Sequence, residues 1–333
     1  MRALLLVAIV AAGVLPGSAG ATFAGKNGRL LVLRGSVTPQ NVIGPTSAIS
    51  VNPNGSDPVV VDANVSAAAW SPDGTRLLVS HPYRACGGAC AALALGVAND
   101  RGTILSTIAA ASYVFGETWT ADGAVAYVRA PNCDGGCDSG FCIWRANADG
   151  GAQAPMRFCW TYEPGIPVGW YPDQLEDVRF SPDGTRLVGI GWRPGAGHGV
   201  NAYPDLLVVA DLATGARTVL TQTKAYSADW SPDSSRIVFA GRDGISTIAA
   251  DGRGERVVRD SGAHPIWSPD GRRIAFADHG VAIMDADGSN ALQATHDEEE
   301  VAWSWQPAAV AAPSAPAKRP QKPAAKPPRK RKR

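Results

Sequence analysis

The chain has 333 residues, 45% of them hydrophobic, and a formal net charge of +1. That length supplies one large core or two small ones. Its 37 glycines and 25 prolines suit a fold of many tight turns, and with no long stretch of helical periodicity they argue against a helical bundle.

Residues 1–21 read as a signal peptide. Arg2 supplies a positive start, and Ala3 to Leu15 form an apolar stretch too short for a typical membrane span. Ala19-Gly20-Ala21 is a cleavage site that leaves Thr22 as the new amino terminus. Retention as an anchor is the alternative.

From Lys26 the sequence KNGRLLVL looks like the second half of a repeat whose full form comes later. The full form joins an aromatic, Ser, Pro, Asp and Gly to an apolar strand. It stands as WSPDGTRLLVS from Trp70, RFSPDGTRLVGI from Arg179, DWSPDSSRIVFA from Asp229 and IWSPDGRRIAFA from Ile266. A weaker copy, TWTADGAVAYV, starts at Thr118. Proline presets φ for a hairpin turn, Asp follows, and Gly takes the position where φ is positive. Ser234 stands where that glycine is due, which predicts a strained turn or one of another type. The aromatic is expected to pack between neighbouring sheets.

A second series of turns alternates with the first: Asn54-Gly55, Asp100 to Gly102, Asp149-Gly150, Thr214-Gly215, Asp251-Gly252 and Asp287-Gly288. Two hairpins per unit describe four-stranded units, and two alternating series make six of them. The chain starts on a turn and strand at Lys26-Asn27-Gly28, and the repeat ends on Val301-Ala302-Trp303-Ser304, an inner strand and the start of a turn. Joined, they complete one unit. The expected fold is an all-β, six-bladed β-propeller over residues 22–306, closed by pairing of its N- and C-terminal strands.

Every long insertion falls on the face opposite these short turns: His81 to Ala91, Pro131 to Gly140, Trp192 to Pro204, and the crossing from Trp160 to Gln174. Long loops held by a rigid scaffold are where binding usually resides. The crossing carries Trp160, Tyr162, Trp170 and Tyr171, rings of the kind that anchor interfaces, although covering the underside of one blade is an equal reading. Near the channel mouth on that face the inner strands start with Glu117, Glu176, Asp177, Tyr226, His264 and the run Glu298, Glu299, Glu300. These predict an acidic rim attractive to a cation or basic peptide. Solvated charge without a ligand is the plainer reading.

Six cysteines in an exported chain suggest three disulfides. Cys142 and Cys159 lie symmetrically about the Gly150-Gly151 turn, while Cys86 with Cys90 and Cys133 with Cys137 close small loops. A four-cysteine zinc site joining those loops is the competing reading, with atypical spacing. Asp285, Asp287 and Asn290 resemble part of a calcium loop, but His296 stands where a bidentate Glu is needed, so the segment reads as a turn.

No G-x-S-x-G elbow and no H-E-x-x-H spacing occurs. Asp177, Asp229, His264 and Glu300 are the one polar set that separate blades could bring to the channel for a hydrolase, a dehydrogenase or a small-ligand site. No cofactor or metal is expected.

Residues 307–333 are rich in Pro and Ala, lack acids and hold nine cations: Lys318, Arg319, Lys322, Lys326, Arg329, Lys330, Arg331, Lys332 and Arg333. Such a composition predicts disorder. Without these and Arg2, 21 cations face 30 acids, so an acidic body carries a basic tail suited to anionic lipid or cell-wall polymer.

The WSPDG repeat followed by a DADG-type turn resembles that of TolB-family propellers, also seen in the propellers of prolyl-oligopeptidase-type enzymes. The likeness spans about residues 26–305. It implies an envelope protein that contacts other proteins or peptides through its propeller, in the periplasm or outside the cell. The separate α/β domain of full TolB is not matched. A non-enzymatic, monomeric scaffold without a nucleic-acid role is therefore expected, its tail serving as a tether.

Overall fold

The computed structural model describes residues 22–37, 42–65, 67–83, 92–112, 114–129, 141–160, 175–191, 205–221 and 224–308. Every helix or strand among them is a strand, in six four-stranded antiparallel sheets. From the inner to the outer edge, blade one holds Glu300–Ala308, Lys26–Val37, Val42–Val51 and Val59–Val65. Blade two holds Ala67–Trp70, Arg76–Tyr83, Ala92–Asn99 and Ile104–Ser112, and blade three Val114–Trp119, Val125–Arg129, Phe141–Ala146 and Ala154–Trp160. Blade four holds Leu175–Phe180, Arg186–Gly191, Leu206–Asp211 and Arg217–Val219. Blade five holds Ala225–Trp230, Arg236–Gly241, Gly244–Ala249 and Arg256–Arg259, and blade six Ala263–Trp267, Arg273–Ala277, Val281–Asp285 and Leu292–Gln293. Each inner strand packs on the inner strands of both neighbours, which closes a six-bladed β-propeller.

Blade one is the predicted clasp between the two ends of the chain, but its register differs from the sequence expectation. Trp305 pairs with Leu30 just as Trp70 pairs with Leu77 and Trp267 with Ile274. The motif aromatic of the closing strand is thus Trp305, two residues past the expected Trp303, and the strand runs on to Ala308 instead of turning at Ser304. The physical reason is that the chain partner supplies Arg29-Leu30 at the positions held by Arg76-Leu77 elsewhere, and matching them sets the slip.

The core is divided among the blade interfaces. Each of six apolar clusters joins two adjacent blades, and each holds one motif aromatic: Trp305, Trp70, Trp119, Phe180, Trp230 or Trp267. The indole N–H groups of Trp119 and Trp230 donate to the carbonyls of Ala69 and Arg179 on the preceding blade, and that of Trp305 to Gly28 on the neighbouring strand of its own blade. On two of these faces the arginine after the turn lies flat: Arg76 over Trp119 at 5.2 Å and Arg186 over Trp230 at 4.9 Å.

The turns are wired by their own side chains. Ser71 donates to Asp73 at 2.6 Å, Asp73 accepts from the Thr75 amide at 3.0 Å, and the Arg76 amide donates to the Ser71 hydroxyl at 2.9 Å. The same web recurs around Asp183, Asp233 and Asp270. Ser234 does not change the turn. Its φ of 59° matches the 71° of Gly184, and its amide makes the same bond to Ser231 at 2.8 Å. Its hydroxyl accepts from the Asp183 amide at 3.0 Å and so staples two neighbouring turns.

Candidate functional site

The polar groups of the axis come from the residue just before each motif aromatic. Going round from blade two these are Ala69, Thr118, Arg179, Asp229, Ile266 and Ser304. Alternation along a strand turns this side chain away from the interface that the aromatic fills, towards the next inner strand. Two contacts show it: Ser304 accepts from the Trp70 amide at 3.1 Å, and Asp229 accepts from the Trp267 amide at 2.8 Å. In five blades the strand register shifts just before this point, and Asp177 and His264 take left-handed φ values of 47° and 48° there. Such bulges re-aim side chains.

Asp229 is fully buried, and burial pushes its carboxyl up to about 6 against the opposing pull of Arg179 and of the bonds from Trp267 and Thr22. Arg179, itself 4% exposed, lies 4.0 Å from Asp229 Oδ1 and 3.6 Å from Asp177 Oδ1. Asp177 Oδ2 also accepts from the Ala228 amide at 3.3 Å. The site therefore holds two carboxylates around one guanidinium.

Its remaining occupant is the start of the described chain. Thr22 Oγ1 donates to Asp229 Oδ2 at 2.8 Å and lies 3.1 Å from the Trp267 carbonyl. The next side chain, Phe23, packs into the cluster between blades two and three. The interface between blades five and six is half a turn of the ring away from that cluster, so two consecutive residues span the axis. Gly25 then donates to the Pro269 carbonyl at 3.0 Å, which leads the chain over the turn of blade six into blade one. Thr22 and Phe23 are 3% and 5% exposed. The N-terminal segment closes the channel at the end that bears the short turns. Beside it, Ala24 and the turns of blades five and six line a cleft of about 350 Å³.

The structure scatters the polar set nominated for chemistry. Asp177 and Asp229 come together on Arg179, and buried His264 lies three residues before Trp267. Glu300 is instead held by Arg34 at 2.5 Å, with Asp297 at 3.1 Å from the same guanidinium. The expected acidic rim is correspondingly altered. Glu117 is buried rather than solvated, and burial pushes its pKa up against the pull of the Ser80 hydroxyl. Glu300 is buried against its partner, Glu298 lies 3.3 Å from His279, and Tyr226 is half-buried. Glu299 remains exposed. Backbone packing is the reason: a strand start that lies between two blades is covered by them.

Trp160 and Glu176 are described by their strand positions alone, and Tyr162, Trp170 and Tyr171 lie outside the described residues. So do Cys86, Cys90, Cys133, Cys137 and the basic tail. Cys142 stands directly opposite Cys159 in the register of blade three and is disulfide-bonded. Among the described residues no group of three or more His, Cys, Asp or Glu is placed to hold a metal ion, and no helix is long and apolar enough to cross a membrane.

Thr22, Phe23 and Arg179 were not foreseen as site residues. Arg179 had a signal, since it stands at the motif position that holds Asp229 in the next copy. Nothing in the sequence of Thr22 and Phe23 points across the channel.

Solved structures of low sequence identity share the architecture. TolB from Acinetobacter baumannii is 18% identical over 86% of this chain and 68% of its own, with a TM-score of 0.58. A putative TolB from Agrobacterium tumefaciens is 20% identical over 79% and 91%, with a TM-score of 0.53. A chain of a nidogen/laminin complex is 11% identical over 84% and 97%, with a TM-score of 0.54. No protein-family model matches the sequence, and no curated protein matches it either. These likenesses show a TolB-like six-bladed propeller fold and nothing beyond the fold.

Proposed function

We propose that the protein is an exported, non-enzymatic propeller that binds a protein or peptide in the cell envelope through the face opposite its short turns. One observation carries this reading: the polar side chains of the axis bind one another and the chain's own start, with Asp229 and Asp177 on Arg179 and Thr22 on Asp229. A channel spent in this way offers no convergent acid, base and nucleophile, so the working surface lies elsewhere. The rings Trp160, Tyr162, Trp170 and Tyr171, together with Glu176, are the groups we assign to partner contact. The nine tail cations tether the body to anionic lipid or cell-wall polymer, a salt-sensitive attraction.

The resemblance of the repeat to TolB propellers supports a protein-binding role and an envelope location. A signal peptide over residues 1–21 directs the chain there and is then removed, and an oxidising compartment suits Cys142–Cys159, Cys86–Cys90 and Cys133–Cys137 bridges. Six free thiols in the unreduced exported chain would exclude them.

The test is capture of envelope proteins by the exported chain and by a variant with Trp170, Tyr171 and Glu176 changed to alanine. Asp177 is left intact because it holds Arg179. A protein retained by the first and lost by the second supports the assigned face. Equal retention, or none, overturns it. For the tether, deleting residues 318–333 is expected to release the protein from envelope fractions at low salt; unchanged association rejects it.

A further inference from the structure

Among the described residues the axis site sets two carboxylates, Asp177 and Asp229, around one guanidinium, Arg179. His264, three residues before Trp267, is the other titratable group of the adjoining inner strand. Threonine is the residue that meets Asp229, and the backbone nitrogen of any threonine lies about 3–4 Å from its own Oγ1. With Thr22 Oγ1 2.8 Å from Asp229 Oδ2, the Thr22 nitrogen is no farther than roughly 7 Å from that oxygen. In the full-length chain this nitrogen is a neutral amide. Once it is a chain terminus it carries a positive charge.

We propose that the α-ammonium of Thr22, freed by hydrolysis of the Ala21–Thr22 peptide bond, is the ligand of the Asp229–Asp177 site and locks the N-terminal segment across the channel. The step is ordinary peptide hydrolysis by a signal-peptidase-type enzyme: water adds, Ala21 leaves with a carboxylate, and Thr22 keeps the amine, which is protonated at neutral pH. A cation then enters beside two carboxylates, in a setting where nearby opposite charges favour each other's ionised forms. Phe23 fastens the segment on the far side of the axis through the cluster of blades two and three. Export, processing and closure of the ring become one sequence of events. The inference rests on the export reading only for the source of the terminus, because the lock itself can be tested on chains with defined ends.

Three forms separate charge from length: residues 22–333 with a free terminus, the same chain acetylated at Thr22, and residues 19–333. The free chain is expected to melt roughly 2–6 °C above both others at pH 7. Changing Asp229→Asn should bring all three together. The α-amine of Thr22, followed by NMR after reductive methylation, should titrate above the ordinary value of about 8. Equal melting of the free and acetylated chains overturns the proposal, as does an advantage that survives Asp229→Asn. If the Asn variant does not fold, the amine titration decides: an ordinary value overturns the lock and a raised one supports it. The mass of the exported chain reports separately whether cells cut at this bond.

Discussion

The five turns that follow the motif aromatics and the six positions one step before each motif aromatic lie side by side, yet they behave oppositely. Four of the turns repeat one device, Ser, Asp and a left-handed residue bound into a web, and at two blade interfaces the arginine after the turn stacks on the tryptophan of the next blade. The adjacent positions are Ala, Thr, Arg, Asp, Ile and Ser, different in every blade. Repetition is what an interface between identical modules needs, because each blade must present the same knob to the next. An axis is crossed once, by one segment, and so takes a different residue from each side. The lesson is that a repeat's invariant residues describe its scaffold, whereas a site is found where the copies disagree.

The largest expected effect falls on the repeated part. Trp230 is fully buried, donates from its indole to Arg179 and carries Arg186 on its face. Trp230→Ala should therefore cost about 3–5 kcal/mol in urea unfolding, the usual penalty for emptying a large aromatic site. If the cost is below about 1 kcal/mol, the aromatic positions are not the mortar between blades and the contrast fails.

Next in size is the pH response of the axis. Asp229 has its pKa raised from 3.8 to about 6 in the fold by burial. A raised acid binds a proton in the native state that the unfolded chain has released, so its contribution is fully present below pH 4 and is lost as pH rises to about 6. For a chain extended beyond Thr22 the loss should approach 2–3 kcal/mol over that window, and Asp229→Asn should remove it. The charged groups beside Asp229 are Arg179 and Asp177, and His264 lies on the adjoining inner strand. A free Thr22 ammonium favours the carboxylate, so the mature chain should show a shallower slope. Identical slopes for the two chain lengths would sharpen the comparison against the lock.

The fold was legible because the turn chemistry is spelled out four times, with a fifth, weaker copy at Trp119. Proline, Asp and Gly at fixed offsets specify a hairpin locally, without knowledge of what lies across the ring. The slip from Trp303 to Trp305 shows where local reading ends: the two ends of the chain set that register together, and no single stretch contains it. The axis was less legible still. Asp177, Asp229 and His264 are legible as ionisable residues on inner strands, whereas Arg179, the guanidinium that binds two of them, is embedded in a repeat whose other residues shape the turn. Glu117 and Glu300 read as a solvated rim because sequence gives charge without burial. The cross-axis pair of Thr22 and Phe23 depends on a path of three dimensions that one dimension does not record.

A turn carboxylate gives the third test, of the opposite sign. Burial alone would raise Asp183, but bonds from Ser181 and Thr185 outweigh it and hold the carboxyl down to about 2 from 3.8. A depressed acid stabilises the fold above the unfolded value and loses that contribution as pH falls from about 4 towards 2. The side chain is 41% exposed, so solvent screening trims the effect to about 1 kcal/mol. Asp183→Asn should flatten acid unfolding by that amount, while Asp229→Asn acts in the higher window. Overlapping windows would mean that turn and axis share one electrostatic environment.

Ser234 provides the smallest effect and the finest discrimination, because two terms of similar size oppose each other there. Its φ of 59° lies where a side chain costs about 1 kcal/mol relative to glycine. Its hydroxyl accepts from the Asp183 amide at 3.0 Å, a partly buried bond worth about 1 kcal/mol. Ser234→Gly removes both and should leave stability within about 0.5 kcal/mol of the parent. Ser234→Ala keeps the strain and discards the bond, so it should cost about 1 kcal/mol. The order Ser equal to Gly, both above Ala, holds only if the staple between turns offsets the backbone cost. Should Gly prove clearly better than Ser, the hydroxyl bond contributes little, and this copy of the repeat is a tolerated defect rather than a variation with its own contact.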